Sequence, residues 1–405
     1  MAKNPPTLTA EPQAERLIST MLSRSLSASL VCCASLLSGC ATTSTGTAQT
    51  QAIETLPTGS VYTHVIQTLR GMSLKITRID VPFSPAGHGN AQVAAGYVWA
   101  TKPSPLGLHK TVRIDAKSYQ VAELSRPFTA GGADLLVDEH AVWFSDGMSR
   151  FSGRGDLYRV DPNTNQITAT IEAVGTPFAS GDGAVWAYNL RTRVVSGIDT
   201  NNNQVRTQLV TQGGPYNDFY TFGAGSIWQF AHEGDVSSWQ LVRGATPPSV
   251  VRRIDPSSKK VIAEISIGPY RPTDQIRFVA GAVWVLGERD KSGTAFATRI
   301  DVKTNLVTAT IPLVRTVTGC VVHSLPKTPV FWDGGIWIST FCTAVGGLPG
   351  VLLKIDLQTN QVTGQFPLSQ LFQNPRRSHP ALAVGEGALW GFDGLSAIRF
   401  DSIRD

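Results

Sequence analysis

Apolar and polar positions alternate in short runs along most of the chain, and after residue 40 no stretch keeps the spacing of an amphipathic helix. One apolar run with a tryptophan near its centre recurs seven times. Its copies are AGYVWAT (95–101), HAVWFSD (140–146), GAVWAYN (183–189), GSIWQFA (225–231), GAVWVLG (281–287), GGIWIST (334–340) and GALWGFD (387–393). Successive tryptophans are 42 to 56 residues apart, and such a period with strand-like content predicts repeated small sheets.

Each period divides into four predicted strands. In residues 134–175 the runs ADLLVD, HAVWFSD and DLYRVDP are short and apolar, whereas QITATIEAVG alternates as a half-exposed outer strand should. A tight corner such as SGDG or VGEG joins the first two strands, and a cluster such as DPNTNQ joins the last two. We therefore expect four-stranded antiparallel blades whose tryptophan, on the second strand, packs against the next blade.

The third strand of most periods carries a cation, an apolar residue and then an aspartate. The pairs are Arg113/Asp115, Arg159/Asp161, Arg253/Asp255, Arg299/Asp301, Lys354/Asp356 and Arg399/Asp401. Because this aspartate meets the turn, its side chain can accept hydrogen bonds from backbone N–H groups. A ring of catalytic carboxylates is the alternative, but one aspartate per blade would spread around the rim and converge on nothing. We interpret it as a turn cap.

The last period supplies three strands before the chain ends, whereas the alternating run LKITRIDVPF (74–83) precedes the first blade with no blade of its own. This strand can complete the last blade and leave no open edge in the ring. The sequence thus predicts an all-β, seven-bladed β-propeller over residues 74–405. With repeats such as GAVWV (281–285) and RVDPNTNQITATI (159–171), the chain resembles propellers of the YVTN-repeat and streptogramin-lyase-like type.

Composition agrees with many short strands, since the chain has 38 Gly and 24 Pro among 405 residues. The net charge of +5 is small for this length, and the basic residues neither form a run nor alternate with aromatic ones. We therefore expect no nucleic-acid partner.

The N-terminus carries an export signal. Residues 21–40, MLSRSLSASLVCCASLLSGC, combine a basic residue, a short apolar run and small residues before Cys40. The ending Leu-Ser-Gly-Cys resembles the bacterial lipobox, which implies cleavage of residues 1–39 and lipid attachment at Cys40. Residues 1–20 fit a signal poorly, so Met21 is the expected start. Residues 40–73 are expected to be a polar tether.

The resemblance to lipoproteins also implies a location. Ala41 follows the lipobox, and lipoproteins without aspartate at that place usually reach the outer membrane. Such a compartment is oxidising, and Cys320 and Cys342 are the two cysteines that remain after processing. We expect Cys320 in a connection between blades and Cys342 in the connection between second and third strands of the following blade, and we expect the two to form a disulfide.

Function is expected on the face that carries the long, irregular connections between second and third strands and between successive blades. Three histidines there, His88, His323 and His379, precede the first strands of neighbouring blades and could converge as general bases or around a divalent metal. The same face supplies candidate ligand-binding residues Arg271, Asp274, Lys327, Arg376 and Arg377.

Three functions stay open at this point. The first is a monomeric, lipid-anchored propeller that binds an anionic ligand or an envelope protein through this face. Its connections also carry Arg126, Arg150, Arg154, Arg191 and Arg193. The second is a metal-assisted lyase or hydrolase, which the resemblance to streptogramin lyases implies. No metal-ligand spacing such as HExxH supports the second. The third is an assembly scaffold for envelope proteins.

Overall fold

The computed structural model describes residues 54–55, 61–67, 73–81, 90–103, 108–129, 135–138, 140–145, 155–211, 220–232, 248–269, 275–288, 294–315, 322–324, 329–342, 350–371, 380–393 and 396–403. At some strand ends only the backbone is described. All of these residues belong to one unit, Thr50–Asp405. The predicted signal segment and Cys40 therefore lie outside the described residues.

The described residues form strands and one short helix. Nearest the N-terminus are β1 (Glu54–Thr55), β2 (Val61–Gln67) and β3 (Ser73–Asp80). Blade 1 contains β4 (Asn90–Ala94), β5 (Tyr97–Pro103), β6 (Leu108–Asp115) and β7 (Val121–Thr129), and blade 2 contains β8 (Leu135–Val137), β9 (Val142–Ser145), β10 (Leu157–Val160) and β11 (Ile167–Ile171). Blade 3 contains β12 (Thr176–Gly181), β13 (Ala184–Asn189), β14 (Val194–Asp199) and β15 (Val205–Val210).

The later blades follow the same order. Blade 4 contains β16 (Tyr220–Gly223), β17 (Ser226–His232), β18 (Pro248–Asp255) and β19 (Lys260–Pro269), and blade 5 contains β20 (Gln275–Val279), β21 (Ala282–Glu288), β22 (Thr294–Asp301) and β23 (Leu306–Arg315). Blade 6 contains β24 (Val322–Ser324), β25 (Val330–Trp332), β26 (Gly335–Cys342), β27 (Val351–Asp356) and β28 (Gln361–Pro367), followed by α1 (Leu368–Leu371). Blade 7 contains β29 (Ala381–Gly385), β30 (Ala388–Phe392) and β31 (Ser396–Ile403).

The seven sheets form a closed ring, which confirms the predicted propeller. Within each blade the strands pair antiparallel in chain order, except that in blade 6 both β24 and β25 pair with β26. The first strands of neighbouring blades contact each other around the ring, and between blades 5 and 6 the contact runs from β21 to β24. Strand β3 pairs with β31 from Ser73↔Ile403 to Asp80↔Ser396, so a strand from the N-terminal side completes blade 7 as predicted.

Two strands lie within the segment that was expected to be a tether. Strand β2 pairs with β3 as a fifth strand of blade 7, and the two-residue β1 pairs with β7 of blade 1. The sequence VYTHVIQ of β2 contains four β-branched residues, a composition that favours strands. The ordered sheet thus begins before residue 74.

Tryptophans fill the space between blades. All seven repeat tryptophans are at most 1% exposed. The ring of Trp186 stacks on Phe222 of the next blade with centroids 4.9 Å apart, and Trp99 meets Phe144 of the next blade edge-on at 6.4 Å. Aromatic side chains of this size bury about 150–250 Å² each. The packing role predicted for the repeat is confirmed.

The turns between third and fourth strands have the predicted caps. The Asp301 carboxylate accepts hydrogen bonds from the backbone N–H groups of Lys303 (3.0 Å) and Thr304 (2.8 Å). The same arrangement occurs at Asp115, Asp161, Asp199, Asp255 and Asp356. The hydrogen bond from Thr304 is the main cause of a lowered pKa at Asp301.

An arginine of the third strand joins blades 1, 2, 4, 5 and 7 to the next blade. The Arg253 guanidinium lies over the Trp228 ring of its own blade, 5.0 Å from the centroid, and donates to the Val302 carbonyl (2.8 Å) and to Asn305 Oδ1 (3.0 Å) of blade 5. Equivalent bonds to the next blade come from Arg113, Arg159 and Arg299, and Arg399 of blade 7 donates to the Ala116 carbonyl of blade 1. We call this set the inter-blade arginines.

Candidate functional site

The two faces of the ring differ in their connections. On one face, the hairpins between first and second strands have two central residues with positive φ, such as Asp182 (52°) and Gly183 (68°). This geometry is a type I′ turn, which suits tightly twisted hairpins. The other face carries the connections between second and third strands and between blades, and we call it the loop face.

Most of the candidate residues lie outside the described residues. These are Cys40, His88, Arg271, Asp274, Cys320, Lys327, Arg376, Arg377 and His379. Two others were expected in loops but are in strands of blade 6: His323 is in β24, opposite Phe341, and Cys342 is the last residue of β26, opposite Val322. The backbone, but not the side chain, of these two residues is described. Their proposed roles stay predictions.

The three histidines precede strands of three blades that are consecutive around the ring. His88 comes two residues before β4, His379 two residues before β29, and His323 before β25. Strand β29 contacts both β25 and β4. Among the described residues, no group of three or more His, Cys, Asp or Glu side chains could hold a metal ion.

Blade 3 has a short loop-face turn, residues 190–193, whose side chains are described. Asn189 is buried, and its Oδ1 accepts hydrogen bonds from the N–H groups of Arg191 and Thr192, both at 3.1 Å. Its Nδ2 donates to the Ala173 carbonyl at 2.8 Å. The turn is therefore fixed from inside, while Arg191 and Arg193 are exposed. The backbone that carries these two cations is therefore fixed at this point of the loop face.

A buried hydrogen-bond network supports the turn from below. Thr211 bonds through its N–H (2.9 Å) and its hydroxyl (3.2 Å) to the Arg193 carbonyl. Its hydroxyl also lies 2.8 Å from the Tyr220 hydroxyl, which accepts from Gln229 Nε2 at 3.0 Å. The Tyr188 and Tyr220 rings are 4.7 Å apart. Because each member is buried and bonded, the network is a rigid base.

The two tyrosines remain neutral. Burial raises the pKa of the Tyr220 phenol far above its ordinary value, and the neighbouring Tyr188 raises it further. Burial also raises the pKa of Tyr188, which the charge of Arg193 partly offsets. Neither phenol is ionised near neutral pH, so neither serves as a phenolate base. The chemistry available here is recognition by Arg191 and Arg193.

The loop face also carries negative charge near this turn. Glu172, in the connection that leads into blade 3, is exposed, and Asp156 accepts a hydrogen bond from the Ala173 N–H at 2.9 Å. Arg191 and Arg193 were identified from the sequence as loop-face cations. The supporting residues Tyr188, Thr211, Tyr220 and Gln229 were not, although polar residues within otherwise apolar strands were a signal for them.

Comparisons with known proteins support the fold and give no information about the site. No protein-family model and no curated protein matches the chain. The WD40 domain of Neurospora crassa Pan2 aligns at 12% identity and a TM-score of 0.52, covering 81% of this chain and 94% of that one. Hydrazine synthase of Kuenenia stuttgartiensis aligns at 12% identity with a TM-score of 0.52, covering 80% of this chain and 97% of that one.

A third solved structure is less similar. The dihydro-heme d1 dehydrogenase NirN in complex with DHE aligns at 15% identity with a TM-score of 0.44, covering 85% of this chain and 73% of that one. The WD40 likeness agrees with a propeller, because WD40 repeats build propeller blades. Likeness at 12% identity shows the fold alone.

Among the described residues, no helix has the length and apolar character needed to cross a bilayer.

Proposed function

We propose that this propeller binds an anionic ligand, or an acidic surface of an envelope protein, through its loop face. The observation that carries the proposal is the rigid turn 190–193, where Asn189 and Thr211 hold the backbone and Arg191 and Arg193 stay exposed. Guanidinium groups recognise carboxylate and phosphate through two parallel hydrogen bonds. A fixed backbone lowers the entropy lost when such a ligand binds.

The experiment compares two pairs of charge-removing substitutions. Alginate, an acidic polysaccharide, serves as the probe in isothermal titration calorimetry of the full chain. Exposed ion pairs contribute about 0.2–1 kcal/mol each, so Arg191→Gln with Arg193→Gln should weaken binding about tenfold. The control replaces Lys117 and Lys303, exposed cations of the opposite face, with Gln. Equal losses in both double variants would refute a site at this turn.

The proposal includes attachment to the cell envelope through a lipid on Cys40. The lipobox ending at Cys40 supports it, and residues 41–53 lead from there to β1. A fully extended segment of this length reaches about 45 Å, enough to hold the ring near a membrane. A labelled fatty acid should be incorporated into the wild type and not into Cys40→Ser. Equal incorporation in both would refute the anchor.

The binding proposal has two alternatives. One is a metal-assisted lyase or hydrolase built on His88, His323 and His379. The other is a scaffold for envelope proteins. Elemental analysis of the full chain separates the enzyme from the binding proposal. About one equivalent of a divalent metal that is lost in His323→Ala with His379→Ala would favour the enzyme. A partner that co-purifies with wild type and not with the Arg191/Arg193 variant would favour the scaffold.

A further inference from the structure

Two exposed side chains of opposite charge lie on the loop face where blades 2 and 3 meet. Glu172 follows β11 at the start of the connection between the two blades, and Arg191 is in the turn 190–193 of blade 3. Among the described residues, neither of them forms an ion pair. Their charges are therefore available to a ligand.

Short contacts fix the connection between blades 2 and 3 beside the neighbouring turn. The Ala173 carbonyl accepts from Asn189 Nδ2 at 2.8 Å, and Asn189 Oδ1 accepts from the Arg191 N–H at 3.1 Å. Farther along the connection, Gly175 has a φ of 90°, and a Cβ there would collide with the Tyr188 carbonyl. Glycine is the residue that suits both this φ and this close approach. The spacing of the two segments is therefore set by the fold.

An exposed aliphatic side chain belongs to the same side of blade 3. Asn189 pairs with Val194, and Val194 pairs with Val210, with no register shift between these positions. Directly paired residues share a face of the sheet, so Val210 is on the face from which Asn189 reaches the connection. Ala187, two residues before Asn189, packs on this face in one core cluster with Trp143 of blade 2. Val210 therefore lies on the side of blade 3 that is turned toward blade 2.

The other blades show that the outer strand does not require this valine. Val210 is 76% exposed, the largest exposed fraction among the large apolar side chains that the structure describes. At the equivalent position, blade 4 has Ser266 and blade 5 has Pro312. The residue after Val210, Thr211, donates to the Arg193 carbonyl at 2.9 Å, so Val210 lies beside the turn. Apolar, positive and negative groups thus adjoin on a small part of the loop face.

The negative charges beside Arg191 disfavour a ligand that is only anionic. Asp156 lies next to the same connection, because its Oδ1 atom accepts from the Ala173 N–H at 2.9 Å. A polyanion bound at Arg191 would be repelled by Glu172 and Asp156, whereas a ligand with a positive group on that side would be attracted. The charge arrangement therefore favours a ligand that carries both signs.

We propose that Glu172, Arg191 and Val210 bind a short zwitterionic peptide with an aliphatic side chain. The Arg191 guanidinium binds its carboxylate, the Glu172 carboxylate binds its ammonium group, and Val210 packs against the aliphatic side chain. Adjacent strands are about 4.8 Å apart, so Val210 is roughly 10 Å from Asn189 at the base of the turn. About three extended residues span this distance. The inference rests on the proposed function, since Arg191 still binds the negative part of the ligand, and it narrows the ligand class.

Isothermal titration calorimetry of the full chain tests the proposal with two ligands, the tripeptide Ala-Leu-Ala with both termini free and alginate. We expect Glu172→Gln to raise the dissociation constant of the free peptide about fivefold, as the loss of one exposed ion pair does. It should leave that of the N-acetylated peptide unchanged. The same substitution should not weaken alginate binding, because it removes repulsion. Arg191→Gln should weaken the binding of both ligands.

Val210→Ser tests the apolar contact. It installs the residue that blade 4 has at the same position, so folding should be unaffected, and circular dichroism checks this. It should weaken the binding of Ala-Leu-Ala about fivefold and leave that of Ala-Gly-Ala unchanged. The control is Glu386→Gln, which removes an exposed carboxylate of the opposite face and should change none of these constants.

The outcomes separate this inference from the proposed function. A protein that binds alginate through Arg191 but does not bind Ala-Leu-Ala would overturn the inference and leave the proposed function intact. Equal affinity for the free and the N-acetylated peptide would also overturn the inference. Binding of neither ligand would contradict both.

Discussion

At the scale of single residues, the blades are joined by a repeated set of three side chains. The tryptophan of the second strand is covered by the arginine of the third, and that arginine extends to the turn of the next blade. Two boundaries differ: blade 6 has Lys354 in the arginine position, which pairs with Asp333 of its own blade, and blade 3 has no cation there. Gly197 takes the arginine position, because a Cβ there would lie 2.8 Å from the Trp186 ring, and Arg206 of the fourth strand covers that ring instead. The turn of blade 4 correspondingly has Lys259 in place of the asparagine.

The inter-blade arginines should stabilise the ring measurably. Hydrogen bonds to a charged group contribute about 1.5–3 kcal/mol, so Arg253→Ala and Asn305→Ala should each lower the free energy of unfolding by roughly this amount. Because the two groups bond to each other, their effects in a double variant should fall short of the sum. Urea unfolding measures the free energy of unfolding of the two single variants and of the double variant. Arg253→Ala with Asn360→Ala is the control, since Asn360 faces Arg299 instead. Additive effects in both pairs would contradict the bond.

The capping aspartates predict a loss of stability in acid. The Thr304 N–H lowers the pKa of Asp301 below its ordinary value of 3.8. A group whose pKa is lowered by folding stabilises the fold above its unfolded pKa, and this contribution disappears as pH falls through the folded pKa. Asp301→Asn keeps the accepting oxygen but not the charge. At pH 6 the urea concentration at the midpoint of unfolding should therefore be lower in Asp301→Asn than in the wild type. Near pH 2 the two midpoints should be equal. An equal deficit at both would contradict this account.

At the scale of elements, blade 6 describes the backbone of one of the two cysteines in the predicted disulfide. Cys342 ends β26 and is paired with Val322. Cys320 lies outside the described residues, so the disulfide stays a prediction from the cysteine count. The protein purified without reductant should therefore have no thiol at either cysteine that reacts with iodoacetamide. Mass spectrometry of the peptides checks this, and modification of both would contradict the disulfide.

Much of this architecture could be predicted from the sequence, for a physical reason. The tryptophan strand and the capping aspartate act within one period, so their role repeats visibly along the chain. The contacts of Arg253 with Asn305 join residues of different periods, and no spacing within one repeat indicates them. Strands β1 and β2 were missed because their partners, β7 and β3, decide their conformation more than their own composition does.

The candidate site was less predictable than the fold. Arg191 and Arg193 were identified as loop-face cations, but the buried hydroxyl network under them depends on Tyr188 of blade 3 meeting Tyr220 of blade 4. Such a contact between blades has no signature in either repeat alone. The histidine hypothesis falls mainly on residues outside the described ones, and it stays a prediction.

At the scale of the whole molecule, ring closure depends on β3. It forms the fourth strand of blade 7, between β31 and β2, and pairs with β31 along its entire length. Leu74 and Ile76 of β3 are fully buried in a cluster with Trp337 and Phe400. A chain that starts at residue 81 should therefore lose its cooperative thermal transition, whereas one that starts at residue 50 should keep it. Cooperative unfolding of the shorter chain in calorimetry would contradict this role of β3.

The central claim is that ligands bind at the loop face, and hydrogen–deuterium exchange of the full chain with and without alginate tests it most directly. Backbone amides that become covered or less mobile exchange more slowly. The account predicts slower exchange around residues 190–193 and Thr211, with no change at the opposite turns, for example residues 302–305. Slower exchange at residues 302–305 with none at 190–193 would contradict the assignment of the binding face.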